Sequence, residues 1–253
     1  MTAQTTADQQ GAHRGQQPRH RKLRRGGLTR ELIVRESLRL LDTQGLTGFS
    51  MPKLGRALGA DQTAVYRHFA SKDDLVLAIA DLLMEEAMAG LVPSECWVDT
   101  LADSTRRLRR TYLAHPAAAS LSSYRTTQGP AEMNAVDIII GAVLAAGFTG
   151  IEAATVYRAL GDFSLAWAGC DAAFLALDEQ LQKNDQSAWT RAYLGVDRAE
   201  YPNIWQIRTE LADVHADEIF ETALSFVLAG LLARAPRPCG CPRHAPLAEG
   251  RAG

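Results

Sequence analysis

Between Ser50 and Phe69 the chain spells two short helices with a three-residue turn between them, and few folds can hold that arrangement. Ser50 is a good N-cap, and Pro52 falls in the first turn, where a missing N–H costs little. Gly59 ends this helix after about two turns, and Asp61 caps a second one running from Gln62 to Phe69. Ser71 caps a longer helix in which Leu75, Ala78, Ile79, Leu82 and Leu83 recur with a helical period. Asp73 and Asp74 in its first turn suit the positive end of the helix dipole. Upstream, Thr29 caps a helix with Leu32, Ile33, Leu40 and Leu41 on its apolar face and Gly45 as its stop. A turn this short fits a helix-turn-helix or a plain helical corner.

The rest of the chain also reads as helical. Helices are expected near 96–114, 116–124, 130–146 and 150–178, with Gly147 ending one and Thr149 capping the next. The polar stretch 182–203, with Gly195 and Pro202, reads as a long loop. Helices near 204–213 and 216–234 follow, and Pro236 and Pro238 close the folded part, which leaves 237–253 as a mobile tail. No alternating pattern competes for a strand, so the fold class is all-α. The expected division is an arm over 1–27, a first domain over 28–74, a second over 75–235 and a tail over 236–253.

Charge divides the same way. Up to Ala80 there are 13 Lys and Arg against 7 Asp and Glu, and beyond it 14 against 22. A basic front on an acidic body points to a polyanion meeting the front alone, although basic termini also serve solubility. Residues 1–27 lack hydrophobic periodicity and carry Arg19, Arg21, Lys22, Arg24 and Arg25, which reads as a disordered basic arm. Four cysteines are too few for a disulfide scaffold, and the first 22 residues lack the apolar run of a signal peptide. The longest apolar stretch, Ile138 to Phe148, is shorter than a membrane span. A soluble cytoplasmic protein with no membrane partner is expected.

Residues of the second short helix have the chemistry to read DNA. Gln62 and Thr63 lie in its first turn, where side chains reach base edges once a helix enters a major groove. Gln pairs with adenine, and the Thr methyl can meet a thymine methyl. Tyr66, Arg67 and His68 offer groups for phosphates or further bases. Lys72 stands at the start of the next helix, where a cation and free N–H groups together hold a phosphate. Val65 and Phe69 are read as core.

The run Leu58-Gly59-Ala60-Asp61-Gln62-Thr63-Ala64-Val65-Tyr66-Arg67-His68-Phe69-Ala70-Ser71-Lys72-Asp73-Asp74-Leu75 resembles the DNA-binding signature of the TetR family. Looser similarity to the tetracycline-repressor branch follows in Leu113-Ala114-His115-Pro116, Gly129-Pro130, Leu144-Ala145-Ala146-Gly147-Phe148 and Tyr157-Arg158-Ala159-Leu160. The resemblance implies a homodimeric repressor that leaves a palindromic operator when a small organic ligand enters its second domain. It also implies that Gln62, Thr63 and Ala64 face bases, and that Tyr66, His68, Lys72, Ser50 and Lys53 face phosphates. Arg21, Arg24 and Arg25 of the arm are expected to add phosphate contacts.

The dimer is expected through helices 150–178 and 216–234, by way of Val156, Leu160, Ile219, Ala223, Phe226, Val227 and Gly230, beside small residues that let helices approach closely. A monomer core would use the same residues. Tyr112, Tyr124, Arg125, Phe163, Trp167 and Asp171 are candidates for an effector cavity, because aromatic walls with a few polar groups suit a flat or amphipathic molecule. Of six histidines only His115 and His215 lie in the second domain, neither at a metal-binding helical spacing, so no magnesium–drug chelate and no cofactor are expected. Cys239, Cys241 and His244 have spacings that could serve zinc. Three ligands so close in a mobile tail do not complete a tetrahedron unless another group joins, and no metal is expected. Cys96 and Cys170 are read as buried thiols. Glycine-rich nucleotide loops, nucleophile elbows and metalloprotease motifs are missing, so an enzyme is not expected. A ligand-independent architectural DNA binder is the remaining alternative.

Overall fold

The computed structural model describes residues 27–244. Among them it contains eleven α-helices, a closing 3₁₀ turn at Pro242–His244 and no strand, as the missing alternation predicts. The helices are α1 (Arg30–Gly48), α2 (Met51–Ala57), α3 (Gln62–Tyr66), α4 (Lys72–Met88), α5 (Trp97–Ala114), α6 (Pro116–Ser122), α7 (Pro130–Ala145), α8 (Gly150–Leu175), α9 (Glu179–Leu194), α10 (Pro202–Asp213) and α11 (Ala216–Arg234).

The starts of the first helices follow the capping residues. Thr29 Oγ1 accepts from Leu32 N at 3.2 Å, Ser50 Oγ from Lys53 N at 3.4 Å and Ser71 Oγ from Asp74 N at 3.0 Å. Regular geometry in α1 breaks at Gly45, whose φ of 64° is the left-handed value glycine tolerates.

Two clusters of buried residues hold the helices together. Ile33, Leu41, Leu54, Val65, Phe69, Leu75, Ile79 and Leu83, each 2% exposed or less, join α1 to α4. Burying a side chain of this size stabilises by about 1.5–3 kcal/mol. The cluster runs on through Leu108, Tyr112, Ala117, Ala118 and Ala119 to Ala168 and Ala172 on α8. The expected boundary at residue 74 therefore falls inside α4, one helix that packs on α1 and also on α5, α6 and α7. The second cluster joins Trp97, Val98 and Leu101 of α5 to Val143 of α7, Val156 and Leu160 of α8, and Phe220, Leu224 and Leu228 of α11.

Three sequence expectations are corrected. The stretch read as a loop holds α9. Its start is capped by Asp178 Oδ1, which accepts from Gln180 N at 2.8 Å, and it is reinforced one turn apart by Glu179 with Lys183 and Gln180 with Asn184. No residue of α9 or α10 is buried, so neither needs an apolar period. The two pack on each other as a hairpin, where Trp189 donates to Leu211 O at 3.3 Å. The second correction concerns the chain after α11. Arg237 N donates to Ala146 O at 2.9 Å and Cys239 is buried in the second cluster, so 236–244 lies along the body. The third concerns the thiols: Cys96 is buried as expected, but Cys170 is exposed on α8. No single helix among the described residues is long and apolar enough to cross a membrane, although α8 and α9 pass that test together, bent by 110°.

Candidate DNA interface and effector cavity

Three glycine or capping positions fix how α3 is presented. Gly59 takes φ 62° and turns the chain between α2 and α3. A Cβ on Gly55 would stand 3.0 Å from Ala60 O and from Gln62 N, so a side chain there would crowd the two helices apart. Ala60 N instead donates to Gly55 O at 2.9 Å. The sequence reading passed over Gly55, for which the available signal was a glycine inside a two-turn helix. Asp61 Oδ1 accepts from Thr63 N at 2.8 Å, and this backbone bond holds its carboxyl below the usual range.

Val65 and Phe69 anchor α3 from beneath, as expected. Gln62, Thr63, Tyr66 and Arg67 are left exposed, with Ala64 and His68 half-buried beside them. Lys72 is exposed at the start of α4, its Nζ 5.3 Å from the Phe49 ring centre. Ser50 and Lys53 are half-buried on α2, where Lys53 Nζ donates to Thr47 O at 3.5 Å. The structure thus brings Ser50, Lys53, Gln62, Thr63, Ala64, Tyr66, Arg67, His68 and Lys72 into one small module. Arg21, Arg24 and Arg25 lie outside the described residues.

Arg30 is a further structural residue of this module that sequence reasoning missed. It donates to His68 O at 2.8 Å and to Asp74 Oδ1 at 2.9 Å, and its guanidinium lies 4.0 Å from the Phe69 ring centre. This fastens the start of α1 to the turn between α3 and α4. An arginine directly after a capping threonine looks like an ordinary first-turn residue until the tertiary fold is known.

Beyond α4 the helices enclose a cavity of about 70 Å³, lined by Met84 and Met88 of α4, Ser104, Thr105 and Leu108 of α5, Glu132, Ala135, Val136 and Ile139 of α7, and Tyr157, Leu160, Gly161, Ser164 and Leu165 of α8. Thr105 and Ser164 hydroxyls meet at 3.2 Å in its wall. Burial pushes the Tyr157 phenol up. A drug-sized ligand needs about 300–1,000 Å³, more than this cavity offers by itself.

The N-terminal region matches the model described as bacterial regulatory proteins, tetR family, over residues 33–79. Residues 90–235 match the tetracyclin repressor-like C-terminal domain. The chain belongs to the TetR family. It is a DNA-binding transcriptional regulator with a repressor-type second domain. It is 27% identical over 209 residues to an HTH-type transcriptional regulator of Saccharopolyspora erythraea, covering 82% of this chain and 86% of the relative. The tetracycline repressor protein class A from transposon 1721 of Escherichia coli is 26% identical over 205 residues, 80% of this chain and 89% of the relative. Among solved structures, Streptomyces coelicolor ActR in complex with actinorhodin superposes with a TM-score of 0.71 at 25% identity, over 83% of this chain and 98% of that one.

In this TetR-family chain two of the six residues expected around an effector, Tyr124 and Arg125, line a groove of about 350 Å³ that shares Glu132, Tyr157, Gly161 and Leu165 with the cavity, and the other four line neither. Tyr112 is packed into the first core, where burial pushes its phenol up. Tyr124 is 77% exposed. Arg125 grips Asp73 of α4 through two bonds of 2.6 and 2.7 Å, which holds the Asp73 carboxyl below the usual range. Phe163, Trp167 and Asp171 follow one face of α8 away from the cavity. Trp167 meets Phe163 at a tilt and Phe220 edge-on, and Asp171 accepts from Arg109 Nε at 2.7 Å. Arg109 also binds Asp217 at 2.7 Å and lies over Phe220, a structural ion cluster.

The expected dimer residues also divide. Val156 and Leu160 are buried in the chain's own second core. Ile219, Phe226 and Gly230 stay exposed along one stripe of α11, with Phe226 72% exposed and Ala223 and Val227 half-buried at its edge. Ala159, Ala166 and Cys170 form an exposed small-residue stripe on α8.

Proposed function

We propose that two copies of this protein bind a palindromic operator as a repressor, and that a small organic effector entering the cavity between α4, α5, α7 and α8 releases them. The observation that carries this reading is the run of α4. At its start stand Lys72, Asp73 and Asp74, beside the DNA module, and near its end Met84 and Met88 line the cavity. Its middle grips α7, because Asp81 Oδ1 accepts from Glu132 N at 3.0 Å at that helix's start. Arg125 ties the loop before α7 to Asp73, and His115 joins Asp42 of α1 to Glu86 of α4 at 2.9 and 3.2 Å. A ligand that widens the cavity by moving α7 therefore acts on α4, to the extent that it binds the widened state more tightly.

Gln62, Thr63 and Ala64 are assigned to bases, and Ser50, Lys53, Tyr66, Arg67, His68 and Lys72 to the backbone or further bases. Arg21, Arg24 and Arg25 are assigned to phosphates. One five-residue recognition helix reads too little sequence alone, and a second copy doubles it. The exposed stripes on α8 and α11 supply the faces for that copy. The domain division follows function: an arm, a DNA module and an effector body joined through α4, acting on DNA in the cytoplasm with no catalytic role.

The relative bound to actinorhodin supports an organic effector. The cavity gives a magnesium chelate little to hold, since no imidazole lines it and Glu132 Oε2 already accepts from Thr127 N, Thr127 Oγ1 and Gln128 N. Selection of bound sequences from a random DNA pool, with sedimentation of the complexes, tests the reading. Dyad-symmetric sites carrying two chains are expected. Tight binding of single chains to asymmetric sites would overturn it. A Ser164→Phe variant should keep DNA binding and lose release by compounds that free the parent protein. Release that is unaffected by filling the cavity would defeat the effector assignment.

A further inference from the structure

Four metal-binding side chains meet where the end of the chain crosses the start of α5. Cys96 caps α5 and Asp99 stands in its first turn, while Cys241 and His244 come from the segment beyond α11. One ligand atom from each lies within 4.8 Å of all the others. His244 Nε2 and Asp99 Oδ1 are 3.2 Å apart. In a tetrahedron with Zn–N and Zn–O bonds of about 2.0–2.1 Å those two atoms stand about 3.3–3.4 Å apart, and two zinc-bound sulfurs stand about 3.8 Å apart. The His244–Asp99 edge is already close to that length, and the remaining pairs lie within 4.8 Å, near enough for one ion to draw them in.

The donor types select the ion. Two sulfurs and an imidazole favour zinc over magnesium or calcium, which take oxygen shells. Four protein ligands close the coordination sphere, the mark of a structural site. A fifth group stands behind them: Cys239 Sγ is 2.9 Å from Cys96 Sγ, longer than the disulfide bond of about 2.05 Å. It is placed to orient and hydrogen-bond the Cys96 sulfur, as outer groups do around bound metals. The approach of the segment is also built. Arg237 N binds Ala146 O at 2.9 Å, and a Cβ on Gly147 would lie 2.9 Å from Arg237 Cγ and 3.1 Å from Arg237 N.

We propose that Cys96, Asp99, Cys241 and His244 hold one zinc ion, which fastens the end of the chain to the start of α5. Cys96 and Asp99 supply the two missing corners for a Cys-x-x-His pair that cannot close a tetrahedron alone. The ion fixes the start of the helix whose later turns line the cavity with Ser104, Thr105 and Leu108, and the end of α11 with it. No step of ligand release passes through it.

The full chain, purified without chelator, should carry one zinc per chain by elemental analysis. Cobalt(II) put in its place should show thiolate charge-transfer and tetrahedral d–d absorption. Cys241→Ser and His244→Ala should each lose the metal, and Cys170→Ser should keep it. Cys239→Ala should keep the stoichiometry with affinity weakened by roughly 10- to 100-fold. Should the ligand variants fail to fold, the parent protein answers the question. Stripping with EDTA should release one zinc and open the chain to trypsin after Arg243, between the two tail ligands, with helical circular dichroism retained. A chain that binds neither zinc nor cobalt, or that holds a Cys96–Cys239 disulfide with two remaining free thiols, would overturn the proposal. Metal loss in Cys239→Ala with retention in Asp99→Asn would overturn the ligand set.

Discussion

Replacing Lys72 or Gln62 with alanine should damage operator binding in two separable ways. Lys72 is exposed at the start of α4, with its ammonium held near the Phe49 ring, so its loss leaves the module's core intact. A phosphate neutralised by a lysine contributes about 0.9 to the salt slope of binding, so two protomers contribute about 1.8. Between 50 and 200 mM salt that slope is worth about a twelvefold change in affinity, which the Lys72→Ala dimer should no longer show. The loss should be the same for every operator variant, since phosphates carry no sequence information. Gln62 is exposed in the first turn of α3 above the Asp61 cap. A bidentate match to adenine discriminates by about 1–3 kcal/mol, hence about 2–6 kcal/mol over a symmetric pair of half-sites. Gln62→Ala should erase preference at one symmetric pair of positions and leave the salt slope unchanged. Binding isotherms over single-base operator variants at two salt concentrations measure both effects. Uniform weakening by Gln62→Ala would show that α3 is rotated away from the groove by part of a turn, and an unchanged slope in Lys72→Ala would show that Lys72 meets no phosphate.

Gly59→Val should cost about 1–2 kcal/mol of folding stability, because the strain is in the backbone alone and no atom crowds the site; Gly59→Asn should cost much less. Urea melts of the two variants check the contrast, and equal costs would place the effect in packing. Asp74 is held below its ordinary value of 3.8, chiefly by the hydrogen bond from Arg30. Its contribution is complete above that ordinary value and is lost as pH falls through the depressed one. The stability gap between parent and Asp74→Asn should therefore be largest near neutral pH and close only as pH falls below the depressed value, as denaturant midpoints down into that acid range would show.

The module that meets DNA was legible because its determinants are local. Ser50, Gly59, Asp61 and Ser71 each act on backbone within a few residues of themselves, so capping and glycine rules place α2, α3 and the start of α4. Arg30 was hidden because its partners lie 38 and 44 residues away. Helix α9 was hidden for the opposite reason: it is sustained by its cap and by pairs one turn apart, and it buries nothing that would print an apolar period. Reading Val156 and Leu160 as dimer residues failed at rotation about the axis of α8, since core and partner faces of an apolar helix have the same composition. Four of the six expected cavity residues are aromatic, whereas the lining is largely Met, Leu, other aliphatic and small hydroxyl side chains, with Tyr157 its one aromatic. The zinc ligands were half legible: the tail offered its pair, but Cys96 and Asp99 lie about 145 residues earlier and only the fold brings them near.

Helix α4 has 17 residues, which at 1.5 Å per residue makes a rod about 25 Å long. A rod of that length is a lever. Pivoting it by about 5° at the cavity end sweeps the opposite end through about 2 Å, far beyond the play of a hydrogen bond between a side chain and a base edge. In a two-fold assembly the two rods would swing in senses related by the 180° rotation of the dyad, and the spacing of the two α3 helices would change by up to twice that sweep. A small strain at the mouth of the cavity would thus become a mismatch with the pitch of the double helix, and release would need no part of the reading surface to unfold.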